Sequence, residues 1–245
     1  MLEAISEILY VRASLKPLAR QIRNEGGVLN YLHSKISFRE LIAPHFFSAR
    51  PIWRRSTNSV QPLKTNSGAL GKFVANCPGA VLSRHPTHTF AGVGAKVIDV
   101  LQRHDANTSC FEPLSELVNR HDFSMLLLGC LEESPGFSTV HVAQNRLGLS
   151  QKHLLRFLLR WDHIGVSGVS QTATEAPGCS LSFDKFYPYY EADANLIRGE
   201  WDGVNWLFVP SARRALQTEL ALLRGQGRFV DCGRLTCASC RFRWY

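Results

Sequence analysis

With 245 residues, 45% of them hydrophobic and 20% charged, the chain is long enough to bury a substantial core and too apolar for wholesale disorder. No apolar run approaches the roughly 18 residues of a membrane span, and Met1-Leu2-Glu3-Ala4-Ile5-Ser6-Glu7 lacks the basic start of a secretory signal, so a cytoplasmic protein without a membrane partner is expected. The net charge of +8 is concentrated: Arg12 to Lys72 holds eleven Lys or Arg against Glu25 and Glu40, which points to a phosphate-bearing partner or to a solvated basic face.

The elements follow in order. Ile8-Leu9-Tyr10-Val11 is β-prone and delivers Ser14 and Leu15 to a turn. Val28 to His33 continues as a helix after Gly26-Gly27, and Glu40-Leu41-Ile42-Ala43-Pro44 is a second strand stopped by proline. Strand, helix, strand predicts a parallel βαβ unit. Ser48 to Gly71 is expected to be a long loop, Phe73 to Ala80 a short helix, and Ala80-Val81-Leu82 a brief strand. Thr89 is placed as the N-cap of a helix reaching Arg103, because Val93, Val97, Val100 and Leu101 recur at helical spacing. Pro113 to Asn119 is a further helix and Ser124 to Leu128 a buried strand; Ser138 or Thr139 caps the next helix. Gln151 to Trp161 is apolar on one face, Ile164 to Ala176 alternates like an antiparallel strand, and Ala212 to Arg224 is an amphipathic helix. Phe229 to Tyr245 is expected to contain a strand or two.

Several motifs bear on chemistry. Gly92-Val93-Gly94-Ala95 is nearly a dinucleotide fingerprint, but the third glycine and the preceding apolar strand are missing, so these glycines are assigned to helix–sheet packing. No G-x-S-x-G elbow or Walker loop occurs. Cys130 reads as a small apolar residue ending a buried strand rather than a nucleophile. Cys232-x4-Cys237-x2-Cys240 matches part of an iron–sulfur spacing, and Cys237-Ala238-Ser239-Cys240 is half a zinc knuckle. Both lack a ligand, and Cys179 is a distant candidate that nothing in the sequence locates. Read as a strand, this run alternately buries and exposes its cysteines, and no metal is expected. Among the histidines, His141 stands out. It lies near a helix start, with Gln144 three residues on and therefore on the same face, able to orient the imidazole.

Three ordered phrases carry a resemblance. Arg84-His85-Pro86-Thr87-His88-Thr89-Phe90-Ala91-Gly92-Val93-Gly94-Ala95, Leu126-Leu127-Leu128-Gly129 and Ser138-Thr139-Val140-His141-Val142-Ala143-Gln144 are similar to the H-P-x-x-S-x-x-A-x-G, L-L-L-G and T-x-x-H-x-x-E motifs of the antibiotic N-acetyltransferase family, whose best-known members are the aminoglycoside 3-N-acetyltransferases. Leu9-Tyr10-Val11-Arg12-Ala13-Ser14-Leu15 resembles its V-H-S-S-L strand and turn, and Leu41-Ile42-Ala43-Pro44 and Asn66-Ser67-Gly68-Ala69-Leu70 resemble two further segments. The resemblance covers Ile8 to Trp161, leaving 162–245 as a divergent portion of one 1–245 domain. It implies an α/β fold, a central mostly parallel or mixed sheet flanked by helices, with a smaller antiparallel β-containing C-terminal part.

The implied activity is transfer of acetyl from acetyl-CoA to a primary amine of an aminoglycoside or amino sugar, with His141 as general base and Gln144 beside it. Ser14, Leu15 and Thr89, with Ser138 and Thr139 at the next helix start, would hold the cosubstrate; no metal and no nucleic acid are implied, and a homodimer is compatible. Two positions depart from the family pattern: Gln144 stands for its glutamate and Arg12 for the histidine of V-H-S-S-L. Glu132 or Glu133 could replace the missing carboxylate, and Glu191, Asp193, Glu200 and Asp202 are candidates to meet a cationic acceptor. The alternative is a relative that binds CoA or a nucleotide without turnover.

Overall fold

A computed structural model describes residues 2–46, 50–51, 68–85, 87–154, 161–164, 170–173 and 178–243. Its centre is a seven-stranded mixed sheet. The middle three strands, β1 (Leu2–Ala13), β2 (Ile36–Pro44) and β6 (Phe123–Leu128), run parallel, with Leu9 opposite Leu41 and Ala13 opposite Leu128. Antiparallel strands complete both sides: β5 (Phe90–Val93) and β4 (Val81–Leu82) beyond β2, and β10 (Val204–Val209) and β9 (Ile197–Trp201) beyond β6. The resulting order is β4-β5-β2-β1-β6-β10-β9.

The central strands are apolar without interruption because both faces are covered. Ile8, Tyr10, Met125, Leu127, Leu207 and Val209 enter one core with helices α4 (Ala95–Arg103), α5 (Glu112–Arg120) and the helix Ala212–Gly225. Leu9, Val11, Leu126, Leu128 and Phe208 enter a second core with α1 (Ala19–Asn24), α2 (Val28–Lys35) and α3 (Gly68–Ala75). Period-two alternation thus splits each strand between two cores. The βαβ unit expected at the N-terminus is present, and both of its strands are longer than expected.

Two expectations around β5 are corrected. Thr89 caps no helix: Phe90–Val93 pairs with β2, and α4 begins only after Gly94, whose φ of 110° turns the chain. The carboxylate of Glu40 accepts the amide of Val97 at 2.9 Å and serves that helix start instead. The packing role of Gly92 holds, because a Cβ there would lie 2.2 Å from Val97 Cγ1 and 3.0 Å from Leu101 Cδ1. The helix placed at Phe73 starts earlier, at Gly68, with Leu70 and Val74 buried one turn apart. Gly71 lets it press on β2, since a Cβ would meet the Pro44 carbonyl at 2.2 Å.

Most of the long loop expected over Ser48–Gly71 lies outside the described residues. The pair Arg50–Pro51 (β3) joins β7 (Trp161–Ile164) and β8 (Ser170–Ala173) in a small antiparallel sheet, so Ile164 and Ser170–Ala173 of the alternating stretch are strand as expected, in two strands and not one, and its other residues lie outside the described set. Residues 155–160 of the apolar stretch before it are outside the described set. The C-terminal stretch is corrected: Gly227–Val230 is a 3-10 turn and Ala238–Arg241 a short helix, and among the described residues beyond Val209 the only β pairing is an isolated bridge, His153 to Arg243. Among the described residues no helix is long and apolar enough to cross a membrane.

Candidate active site

Adjacent parallel strands β1 and β6 release their following loops side by side at their carboxyl ends, where open α/β sheets form a crevice. Ser14 and Leu15 follow β1, partly exposed, and the Ser14 amide is held by the Leu128 carbonyl at 2.9 Å. After β6 the chain turns at Gly129 (φ 66°), loops through Ser134 and Gly136, and enters helix α6 (Thr139–Arg146). Arg12, near the end of β1, ties the loop after β6 to this strand. Its guanidinium donates to the Gly136 carbonyl at 2.9 Å and to the Ser134 hydroxyl.

Helix α6 carries His141 and Gln144 on one face, and the pair is closed: His141 Nδ1 lies 3.0 Å from Gln144 Oε1. An amide oxygen only accepts, so Nδ1 carries the hydrogen and Nε2 keeps its lone pair. Phe111 stacks on the ring at 4.7 Å between centroids and Phe183 meets it edge-on at 4.8 Å. The chain at Gly178 crosses the remaining edge, where a Cβ would sit 3.3 Å from His141 Cε1 and 3.8 Å from Nε2. A larger residue there would press on that edge of the ring. Burial among these rings drives the imidazole down to about 3; the Gln144 bond opposes the shift, and His88, Arg243 and Arg12 reinforce it as neighbouring cations. His141 is therefore neutral at pH 7, the state a proton acceptor needs.

The other sequence-selected residues divide clearly. The Ser138 hydroxyl is buried and shares a 2.8 Å hydrogen bond with Tyr10, while Thr139 donates to Glu219 at 2.6 Å. Neither side chain caps α6. The Thr89 hydroxyl is buried and donates to the His85 carbonyl at 2.7 Å. These three hydroxyls are hydrogen-bonded inside the fold, on residues that are at most 3% exposed. Glu132 and Glu133 are exposed, and the charged groups that act on His141 are cationic, so neither replaces the missing carboxylate. Glu191 pairs with Arg198 at 2.7 Å, Asp193 accepts from Thr218, and Asp202 pairs with Lys35 at 3.1 Å; none is gathered at His141. Cys130 is buried, its thiol pushed up by that burial, and it donates to the Arg12 carbonyl at 3.5 Å, as befits a packing residue.

Two other central histidines, His85 and His104, are held in the fold by their ring nitrogens. His85 Nδ1 accepts the amide of His88 at 3.0 Å, and His104 bonds Ser83 at 2.9 Å and the Ser109 carbonyl at 3.2 Å while stacking on His85.

The sequence profile of the aminoglycoside 3-N-acetyltransferases matches residues 13–213. The chain belongs to that family. It is accordingly an N-acetyltransferase by descent, and the mixed sheet described above is the family's fold. Aminoglycoside acetyltransferase AAC(3)-IVa, solved without ligand, superposes with a TM-score of 0.69 over 97% of this chain and 91% of its own at 16% identity. A histidine-to-alanine mutant of AAC(3)-IVa in complex with a gentamicin gives 0.69 at 17% identity over 98% of this chain and 92% of its own. AAC-IIIb in binary complex with CoASH gives 0.65 at 15% identity over 91% of each chain. No curated protein sequence matches this chain.

This family member carries functional neighbours that sequence reasoning missed. Phe111, Phe183 and Gly178 shape the pocket of His141 from three separate segments, and Glu219 supports α6 from below. Their sequence separation from His141 left no local signal.

Proposed function

We propose that the chain transfers acetyl from acetyl-CoA to a primary amine of an aminoglycoside or amino sugar, with His141 as general base. The observation that carries this is the closed His141–Gln144 pair, 3.0 Å, on the helix following the β1/β6 crevice. The Nδ1–H tautomer leaves Nε2 to accept a proton from the acceptor's ammonium, freeing its lone pair to attack the thioester carbonyl. The new C–N bond forms as the C–S bond breaks, the attacking nitrogen gives its second proton to the departing sulfur so that CoA leaves as the thiol, and His141 then returns the first proton to solvent.

A crevice flanked by Arg12, Ser14, Leu15 and exposed Lys16 fits a phosphorylated cosubstrate. The CoASH complex of AAC-IIIb and the gentamicin complex of AAC(3)-IVa support the same pairing of substrates. A binding-only role is the second reading, favoured by one observation: cations rather than a carboxylate surround His141.

Thiol release from acetyl-CoA, followed against a panel of aminoglycosides and amino sugars, tests the proposal. His141→Ala should lower kcat by about 10²–10⁴-fold with CoA affinity retained. Undiminished turnover in that variant would remove His141 from the mechanism, and no turnover by the wild type on any amine would favour the binding role.

A further inference from the structure

We infer that Cys179, Cys232, Cys237 and Cys240 bind a zinc ion in a closed structural site that fastens the C-terminal segment against the His141 pocket. The four sulfurs all lie within 4.8 Å of one another. Tetrahedral zinc with Zn–S bonds of about 2.3 Å sets its sulfurs about 3.8 Å apart, so side-chain rotation of about 1 Å completes the shell. An all-thiolate, four-coordinate set is soft and selects zinc over the hard divalent cations.

The local structure supports this assignment. Cys237 begins the short helix Ala238–Arg241, and the amide of Cys240 returns to its carbonyl at 3.1 Å, a tight turn that points both thiols of the C-x2-C pair to one side. The turn at Gly233, with φ 70°, reverses the chain so that Cys232 approaches from the other. The Cys232 amide donates to Cys240 Sγ at 3.5 Å, the kind of second contact that supports a thiolate ligand. Cys179 supplies the fourth sulfur from a distant loop.

Packing gives this segment little other reason to hold its place. From Asp231 to Arg243 only Cys240 is buried, and Leu235 is 78% exposed. A stretch that buries so little needs a staple. The other anchors of the segment to the rest of the chain are polar and include Leu154 amide to Phe242 carbonyl at 2.8 Å, Lys185 to the Asp231 carbonyl at 2.8 Å, and His153 to the Ser239 carbonyl at 3.2 Å.

The staple has a position relative to the chemistry. Cys179 directly follows Gly178, which borders the Nε2 edge of His141, and Arg243 at the far end of the stapled segment acts on the charge of that ring. The metal would therefore fix one wall of the pocket while touching no reacting atom; this consequence rests on the proposed function, whereas the metal site does not.

Untagged full-length protein, purified without added chelator, should contain stoichiometric zinc by plasma mass spectrometry. After unfolding with chelator but without reductant, all seven cysteines should titrate. Cobalt replacement should give the thiolate-to-metal charge transfer and intense d–d bands of a tetrahedral sulfur site. Cys237→Ser with Cys240→Ser should abolish zinc retention and lower Tm by roughly 5–10 °C, whereas Cys77→Ser changes neither. Protein without zinc that fails to take it up would overturn the site. So would a titration in which only Cys77, Cys110 and Cys130 react, since the four would then be paired as disulfides. Metal content is read independently of turnover, so an inactive protein that holds zinc refutes the function alone.

Discussion

Gln144→Glu restores to the helix face the carboxylate that the family motif places there, and the geometry states what it should do to His141. The side chain is 3% exposed and its oxygen lies 3.0 Å from Nδ1. A unit charge about 4 Å from the imidazolium, at an effective dielectric of about 20, is worth about 4 kcal/mol. At about 1.36 kcal/mol per unit this corresponds to about 3 pKa units. Desolvation of the new carboxylate takes part of that, leaving a rise of about 1–3 units from the present value of about 3. A ring titrated by carbon-detected NMR in selectively labelled protein should shift by that amount. The acid limb of kcat/KM should move up with it, and turnover at pH 7 should rise on the order of tenfold as the base strengthens toward the working pH. A ring whose pKa does not move with the introduced group ionised would refute the electrostatic account of this pocket. A raised pKa with no gain in turnover would refute His141 as the base.

Two further predictions concern stability. His104 and His141, lowered by burial to about 4 and about 3, are neutral in the fold, whereas the unfolded chain takes up those protons near 6.5. Their contribution is whole above that value and is lost as pH falls, by up to about 1.4 kcal/mol per pH unit for each ring; urea unfolding at pH 7, 6 and 5 should show it, His104→Gln should flatten it, and an unchanged slope in that variant would contradict it. Glu219 has the opposite sign: fully buried, with Thr139 and Tyr190 both donating to one oxygen, its carboxyl is raised by desolvation to about 8. Its contribution is present below about 4.5 and declines as pH rises toward 8, so Glu219→Gln should stabilise by about 3 kcal/mol at pH 8 and hardly at pH 5. An equal effect at both values would show that the carboxyl is ionised in the fold.

The parts of the fold visible in the sequence were those whose cause is local. β1, β6, α2 and the helix Ala212–Gly225 follow from their own periodicity and turn residues, and the His141–Gln144 contact follows from helical spacing. Thr89 was misplaced because a hydroxyl before an apolar run signals a cap equally well when that run is a strand, and the pairing of Phe90–Val93 with β2 decided between them. The helix start was served by Glu40, a residue on another strand. The gathering of the cysteines was hidden for the same reason: three are close in sequence, Cys179 is brought to them by tertiary structure, and the strand expected over them is a turn and a short helix.

The two sheet edges bear on assembly. One edge, β4, is two residues long, and the other, β9, alternates Arg198 and Glu200 around Gly199 and ends in a tight turn at Asp202 and Gly203. Arg198 is further engaged by Glu191. A short edge offers too few free backbone groups for another chain to pair with, whereas an antiparallel copy of β9 centred on Gly199 would set Arg198 against Glu200, opposite charges in register. Of these two edges only β4 opposes self-association by joining sheets, so a sheet-joined dimer of this chain would have to form through β9.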